Sequence, residues 1–221
     1  MVRSFSTKPV DPTDVGLLLD AAMRAPTAGN TGGTAWVALV GPEETEAYWS
    51  ATMDEGWRSR NPERADGLRR APVILLAYAS PDAYVARYGE EDKASSGLGG
   101  GVEAWPVPYW YGDAAFGVMT VLLAAVEACL GACVLGAFRG EDALAATLDV
   151  PEGWRLFCAV ALGYPDGNDR PSRSLDRAVP GAASRVHWRA WDTGDADERA
   201  EPGGPGEPDS RNGRNGHGPA A

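Results

Sequence analysis

Residues 111–138 read YGDAAFGVMTVLLAAVEACLGACVLGAF, the most apolar stretch of the chain. Apolar side chains fall on every side of the helical wheel through its first two thirds, the pattern of a helix buried all round. Glu127 interrupts it, and the uncharged run from Ala114 to Val126 is too short to span a bilayer. The expectation is a central core helix opened by Asp113, whose carboxylate favours the helix dipole, and stopped at Gly131. Residues 132–138 then form a strand. In a chain of 221 residues, such a helix points to burial against a second subunit as well as its own sheet.

Elements can be read outward in both directions. Downstream, GEDALAATLDV (140–150) reads as a helix, and WRLFCAVALGYP (154–165) as a strand with its closing turn. Upstream, VDPTDVGLLLDAAMRA (10–25) carries an N-cap at Asp11, Pro12 at the first helical position and Asp14 in the first turn. Val15, Leu18, Leu19, Ala22 and Met23 recur at helical spacing, and Pro26 ends the helix. TAWVALV (34–40) is a strand, residues 43–57 one helix, APVILLAYA (71–79) a buried strand and PDAYVARY (81–88) a short helix. Helix and strand alternate four times, which fits α+β or α/β; order alone leaves both open.

Two segments between these elements invite function. RAPTAGNTGG (24–33) is almost without bulk. Small side chains leave backbone N–H groups uncovered, suited to a phosphate or a flat polar ring, and Asn30 adds an amide that both donates and accepts. An ordinary helix-to-strand turn would look the same on composition. Residues 90–108 read as a long mobile loop, hinge or lid. Its GLGGG lacks the last glycine of a dinucleotide fingerprint and does not join a strand to a helix. Trp105, Tyr109 and Trp110 follow at once, and could wall a ligand face on which aromatic compounds stack.

Composition bounds the rest. Hydrophobic residues make up 44% of the chain, so most of it should fold, and the net charge is −11. That charge disfavours nucleic acid and anionic membranes, and asks any anionic ligand to find a local cluster of arginines. Cys129, Cys133 and Cys158 lie in apolar runs, as reduced structural thiols of a cytoplasmic protein would. The opening residues lack a charged-then-apolar pattern, so no signal peptide is expected. Cys129 and Cys133 are one helical turn apart, but the only histidines are His187 and His217, so no metal site is expected. Residues 193–221, rich in Gly, Pro and acid, read as a disordered tail behind a folded domain of residues 1–192.

Three stretches together carry a resemblance. VRSF at 2–5 with Pro9 and Val10, the amphipathic helix and RAPTAGNT at 24–31 resemble the opening of the FMN-dependent nitroreductase family of NAD(P)H oxidoreductases. Residues 113–138 resemble its central dimer helix and following strand. ALGYP at 161–165, with arginines behind it, resembles its closing strand and C-terminal arm. The resemblance implies an α+β nitroreductase-like fold, a central sheet flanked by helices with the long helix at a homodimer interface. It also implies FMN bound there, and ping-pong hydride transfer from NAD(P)H to a nitroaromatic, quinone or similar small-molecule acceptor.

Cofactor contacts carried over by the resemblance are Arg3 and, less directly, Ser4 near the FMN phosphate, and Thr27, Ala28, Gly29 and Asn30 along the ring and ribityl chain. Val134, Leu135, Gly136 and Ala137 fall where the family offers backbone groups to the ring; Leu135 and Gly136 are the principal candidates. Arg173 and Arg177 are the arm's candidates for the phosphate, and RVHW at 185–188 reads as arm packing on a partner subunit. The flavin carries the chemistry, so no catalytic acid or nucleophile is expected. Many members have further basic residues upstream of Arg3, where this sequence begins at Met1; either it starts later than the natural one, the expectation here, or the phosphate is held with fewer arginines. Two other readings stay open: a flavin reservoir or sensor with little turnover, and a dimeric scaffold without cofactor.

Overall fold

The computed structural model describes residues 1–136, 138–170, 172–181 and 184–191. Ala137 and the expected tail at 193–221, with His217, lie outside the described residues. The chain divides into two compact units, Met1–Arg170 and one beginning at Pro171.

The first unit is built on a four-stranded sheet in the order β1-β2-β4-β3, with β1 Thr34–Val40, β2 Val73–Ala79, β3 Gly131–Leu135 and β4 Arg155–Gly163. Every neighbouring pair is antiparallel: Thr34 faces Ala79, Val73 faces Leu162 and Leu135 faces Ala159. That settles the alternation of elements as α+β. β2 lies inside the sheet and is buried along its whole length, as its unbroken apolar run requires.

The two faces of β2 serve two cores. Ile74, Leu76 and Tyr78 pack with Phe5, Trp49, Leu68 and Leu144 on one side. Val73, Leu75 and Ala77 pack with Val15, Leu18, Val118 and Val121 on the other. The first side is covered by α2 Pro42–Thr52, α4 Pro62–Arg69 and α7 Glu141–Thr147, the second by α1 Pro12–Ala22 and α6 Tyr109–Glu127. A third cluster joins α5 Pro81–Tyr88 to the start of α6 through Tyr84, Trp105, Trp110 and Ala114.

Helix α1 starts as its caps dictate: Asp11 Oδ1 accepts from the Thr13 N–H at 2.8 Å, and Pro12 opens the helix. It ends at Ala22, a turn before Pro26. The single helix expected over 43–57 is two, because Met53 and Asp54 are extended. Asp54 caps a new helix, α3 Glu55–Arg60, by accepting from the Trp57 N–H at 2.6 Å. Helix α4 lies where no element was expected.

Helix α6 begins at Tyr109, so Asp113 sits in its second turn rather than opening it. It ends at Glu127 rather than Gly131: Cys129 takes a left-handed conformation (φ 56°), and Gly131 begins β3. Cys129 is exposed and lies outside the helix, so it is neither buried nor one helical turn from Cys133. By length and composition α6 could cross a membrane. Its buried residues, Val118, Val121 and Ala125 among them, pack on the sheet and α1 as a core helix does. Phe116, Met119, Leu123 and Val126 line its opposite face and are exposed.

The segment 90–108 is a succession of three short 3-10 turns, at Ala94–Ser96, Leu98–Gly100 and Val102–Ala104. The Trp105 indole N–H donates to the Leu98 carbonyl at 3.0 Å. Gly99 lies so close over Gly89 that a Cβ would come within 2.6 Å of its Cα. The second unit carries a short turn at Arg173–Asp176 and a stacked His187–Trp191 ring pair 4.3 Å apart.

Candidate functional site

The N-terminal residues are fixed by the edge of the sheet and by α4. The Val2 N–H donates to Ala132 at 2.9 Å, the Ser6 N–H to Tyr164 at 2.8 Å and the Phe5 N–H to Gly67 at 3.2 Å. Phe5 is wholly buried. The Ser4 hydroxyl donates to Asp166 Oδ2 at 2.8 Å and accepts from Arg70 Nη2 at 3.1 Å. Arg70 also donates to Asp166 Oδ2 and to the Phe5 carbonyl, each at 2.8 Å. The Asn168 N–H first, and then Ser4 and Arg70, hold the Asp166 carboxyl down at about 2. Ser4 is thus committed to anchoring this segment. The Arg3 carbonyl rests on Gly67, where a Cβ would come within 2.8 Å.

Beside this anchor a cleft of about 640 Å³ opens on the α2, α3 and α4 side. Its lining includes Arg3, Leu135 and Gly136, three residues singled out in the sequence. Trp49, Trp57 and Phe138 supply apolar wall. Arg60, Arg64 and Arg139 add cations that sequence reasoning missed; the signal available was the run of arginines from Arg58 to Arg70 in an acidic chain.

Asp54 is the only carboxylate among the described lining residues, and it is ion-paired with Arg139. Arg3, Arg60 and Arg64 have no carboxylate partner among the described residues, whereas their neighbours Arg58, Arg69 and Arg70 pair with Glu55, Glu46 and Asp166. Cys133, at the cleft wall, shows the same field. Burial raises its thiol pKa, and the positive charges of Arg3 and Arg64 oppose that rise. The buried Trp49 indole N–H, also at the wall, has no acceptor among the described residues.

Gly136 has a local reason to be glycine: a Cβ there would meet the Phe138 ring at 2.6 Å, and Phe138 is itself 93% exposed. The cleft therefore joins flat apolar surface, edge-strand backbone and unpaired guanidinium groups. That combination suits a planar ligand carrying an anionic group.

The bare loop lies on the other side of the sheet, against α5 and α6. Ala28–Asn30 form a 3-10 turn, with Gly29, Asn30 and Gly32 all at positive φ. Gly29 cannot be replaced without strain, since a Cβ would come within 2.8 Å of the Tyr88 ring. Asp113 organises the turn. Its Oδ2, in a side chain 4% exposed, accepts from the Ala28 N–H and from the Tyr84 hydroxyl, each at 2.7 Å. Burial, and then Asp113, push the Tyr84 phenol far above its ordinary range. Arg87 donates to the Gly29 carbonyl at 2.9 Å while Asp92 holds its guanidinium with two bonds of 2.7 and 2.8 Å.

The loop is not an open cradle of N–H groups. Those of Ala28, Asn30, Thr31 and Gly32 already donate to Asp113, Thr27, Ala28 and the Thr27 hydroxyl. What it presents is the exposed Asn30 side chain, held in a left-handed conformation.

Of the three aromatic candidates, Trp105 and Trp110 are buried in edge-to-face contact with Tyr84 and with each other. Tyr109 alone offers an exposed ring. In the second unit, Arg173 begins the short turn and Arg177 follows it, exposed. One chain therefore gathers Arg3, Leu135 and Gly136 in one cleft, and holds Thr27, Ala28, Gly29 and Asn30 across the sheet from it.

The nitroreductase family model matches residues 1–164. A protein of Archaeoglobus fulgidus, provisionally named NADH dehydrogenase/NAD(P)H nitroreductase, is 24% identical over 197 residues, covering 86% of this chain and 92% of that one. Among solved structures, an FMN-containing oxidoreductase superposes with a TM-score of 0.62 at 20% identity, over 86% of this chain and 88% of the other. A provisionally named nitroreductase of Desulfovibrio desulfuricans in complex with FMN gives 0.58 at 20% identity, over 86% and 92%. At these identities the structural likeness establishes the fold.

Proposed function

The chain belongs to the nitroreductase family, and from that premise we propose that it is an FMN-dependent oxidoreductase that moves hydride from NAD(P)H to a nitroaromatic, quinone or similar acceptor in a ping-pong cycle. The observation that carries this reading is the convergence of Arg3, Leu135 and Gly136 on one cleft of about 640 Å³.

The residues present fit FMN. The cleft volume is that of a small-molecule site. Arg3 and Arg64, with no carboxylate partner among the described residues, are suited to the phosphate. Leu135 and Gly136, at the end of an edge strand, would offer main-chain groups to the ring. The Trp49 N–H, without an acceptor among the described residues, is a donor that a ligand could satisfy. When bound, FMN supplies the redox chemistry; this chain's part is to bind it, orient it and tune it.

A homodimer accounts for the two separated groups of residues. The exposed stripe of Phe116, Met119, Leu123 and Val126 lies on α6, beside the bare loop's anchor at Asp113. Contiguous apolar surface of this kind marks an association site. Pairing through it would bury the stripe and let one chain's Asn30 loop complete the cleft of the other. Three free cysteines suit a cytoplasmic setting.

Titration with FMN and with riboflavin tests the binding site. Each guanidinium–phosphate bond contributes about 1.5–3 kcal/mol, so Arg3→Gln with Arg64→Gln should weaken FMN by about 100-fold or more and leave riboflavin nearly unchanged. An equal loss for both ligands would remove these arginines from the phosphate.

A further inference from the structure

The cleft carries one feature that the FMN phosphate does not absorb. Arg60 and Trp57 lie three residues apart on α3, a spacing that sets side chains on one helical face, and both line the cleft. Trp57 is half-buried and Arg60 is exposed. Arg60 Nη1 lies over Gly56, 3.3 Å from where a Cβ would sit, and no carboxylate among the described residues pairs with it. Arg58, two residues earlier, is paired with Glu55 at 3.4 Å. In a chain with 31 acidic residues against 20 basic ones, an unpaired arginine beside an aromatic wall stands out.

From this we propose that Trp57 and Arg60 form the subsite for the adenosine 2′-phosphate end of the electron donor, so that the protein selects NADPH over NADH. The inference rests on the reading of the cleft as the flavin site. On that reading Arg3 and Arg64, which line the same cleft wall as Cys133, are assigned to the cofactor phosphate. Arg60 remains for a second anion.

A nicotinamide placed over the flavin leaves the far end of its dinucleotide to extend out of the ring pocket. That end is a flat purine with, in NADPH alone, a dianionic phosphate on the adjoining ribose. An indole face suits the purine. A guanidinium binds the phosphate with charge-assisted hydrogen bonds. A nitroaromatic can also stack on the indole but carries no dianionic phosphate, so the pair matches the donor better.

The test uses the FMN-loaded protein. Adenosine 2′,5′-bisphosphate and adenosine 5′-monophosphate are compared as inhibitors of flavin reduction, and NADPH and NADH dissociation constants are read in anaerobic stopped flow. The wild type should favour each 2′-phosphorylated compound by about 10- to 100-fold. Arg60→Gln should bring that preference to within about threefold, and Arg60→Lys should restore part of it. Trp57→Ala should weaken both adenosine compounds alike and leave their ratio in place.

FMN affinity of each variant, read by fluorescence quenching, keeps the two claims apart. Arg60→Gln that loses FMN rather than the nucleotide preference would assign Arg60 to the cofactor and overturn the inference while sparing the flavin reading. So would a wild type indifferent to the 2′-phosphate, or a variant that changes KM for p-nitrobenzoate alone. A chain that takes up no FMN overturns both.

Discussion

Asp113 organises the bare loop from a buried position. One buried carboxylate oxygen accepts from the Ala28 N–H and the Tyr84 hydroxyl and so ties the bare loop to α5 and α6. Asp113→Ala would leave two donors without a partner. At about 1–3 kcal/mol for each unsatisfied group, urea unfolding should report a loss of about 2–6 kcal/mol. Tyr84→Phe, which removes a donor together with its bond, should cost less than half of that. A loss under about 1 kcal/mol for Asp113→Ala would contradict the anchoring role.

At this scale the sequence was a partial guide. Arg3, Leu135 and Gly136 could be named because a family resemblance placed them, and they do share a cleft. Asp113 could be read as helix-dipole complement only, because its partners lie 85 and 29 residues away. Which arginines stand unpaired is likewise a property of packing. Nothing local in the sequence separates Arg60 from Arg58.

At the scale of elements, the signals that were strong in the sequence were local ones. Asp11, Pro12 and Asp14 fixed the start of α1, and the unbroken apolar run fixed β2. Misreadings arose where a local signal competed with a longer pattern. Asp54 caps α3 in the middle of what periodicity presents as one helix. Cys129, at positive φ, ends α6 before the glycine that looked like its stop. The 3-10 turns after α5, and the Trp105–Leu98 bond within them, went unread because neither has a periodic signature.

Helix α6 was legible as apolar on all sides, and the structure divides that apolarity into a buried face and an exposed one. If the exposed face is where two copies meet, Phe116→Glu with Leu123→Glu should raise the dimer dissociation constant by about 100-fold or more, since two charges would enter a desolvated apolar contact. Analytical ultracentrifugation of wild type and variant reads this. A wild type that sediments as a monomer at micromolar concentration would contradict the dimer.

For the whole molecule, the net charge of −11 set the condition that an anionic ligand must find a cluster of arginines. Among the described residues, Arg58, Arg69, Arg70, Arg87 and Arg139 pair with carboxylates while Arg3, Arg60 and Arg64 around one cleft do not. Fold class followed from strand pairing, which the order of elements could not decide. The antiparallel order β1-β2-β4-β3 puts the cleft and the bare loop on opposite faces, so in a single chain the two halves of the expected site do not meet. The homodimer proposed above would bring the two halves together.

The most direct test of the account is the visible spectrum of the FMN-loaded protein before and after anaerobic addition of NADPH and of NADH. A bound flavin band should bleach with a reduced nicotinamide nucleotide and recover when a quinone or nitroaromatic is added. A stable flavin band that neither nucleotide bleaches would make the protein a flavin reservoir or sensor and contradict the oxidoreductase reading.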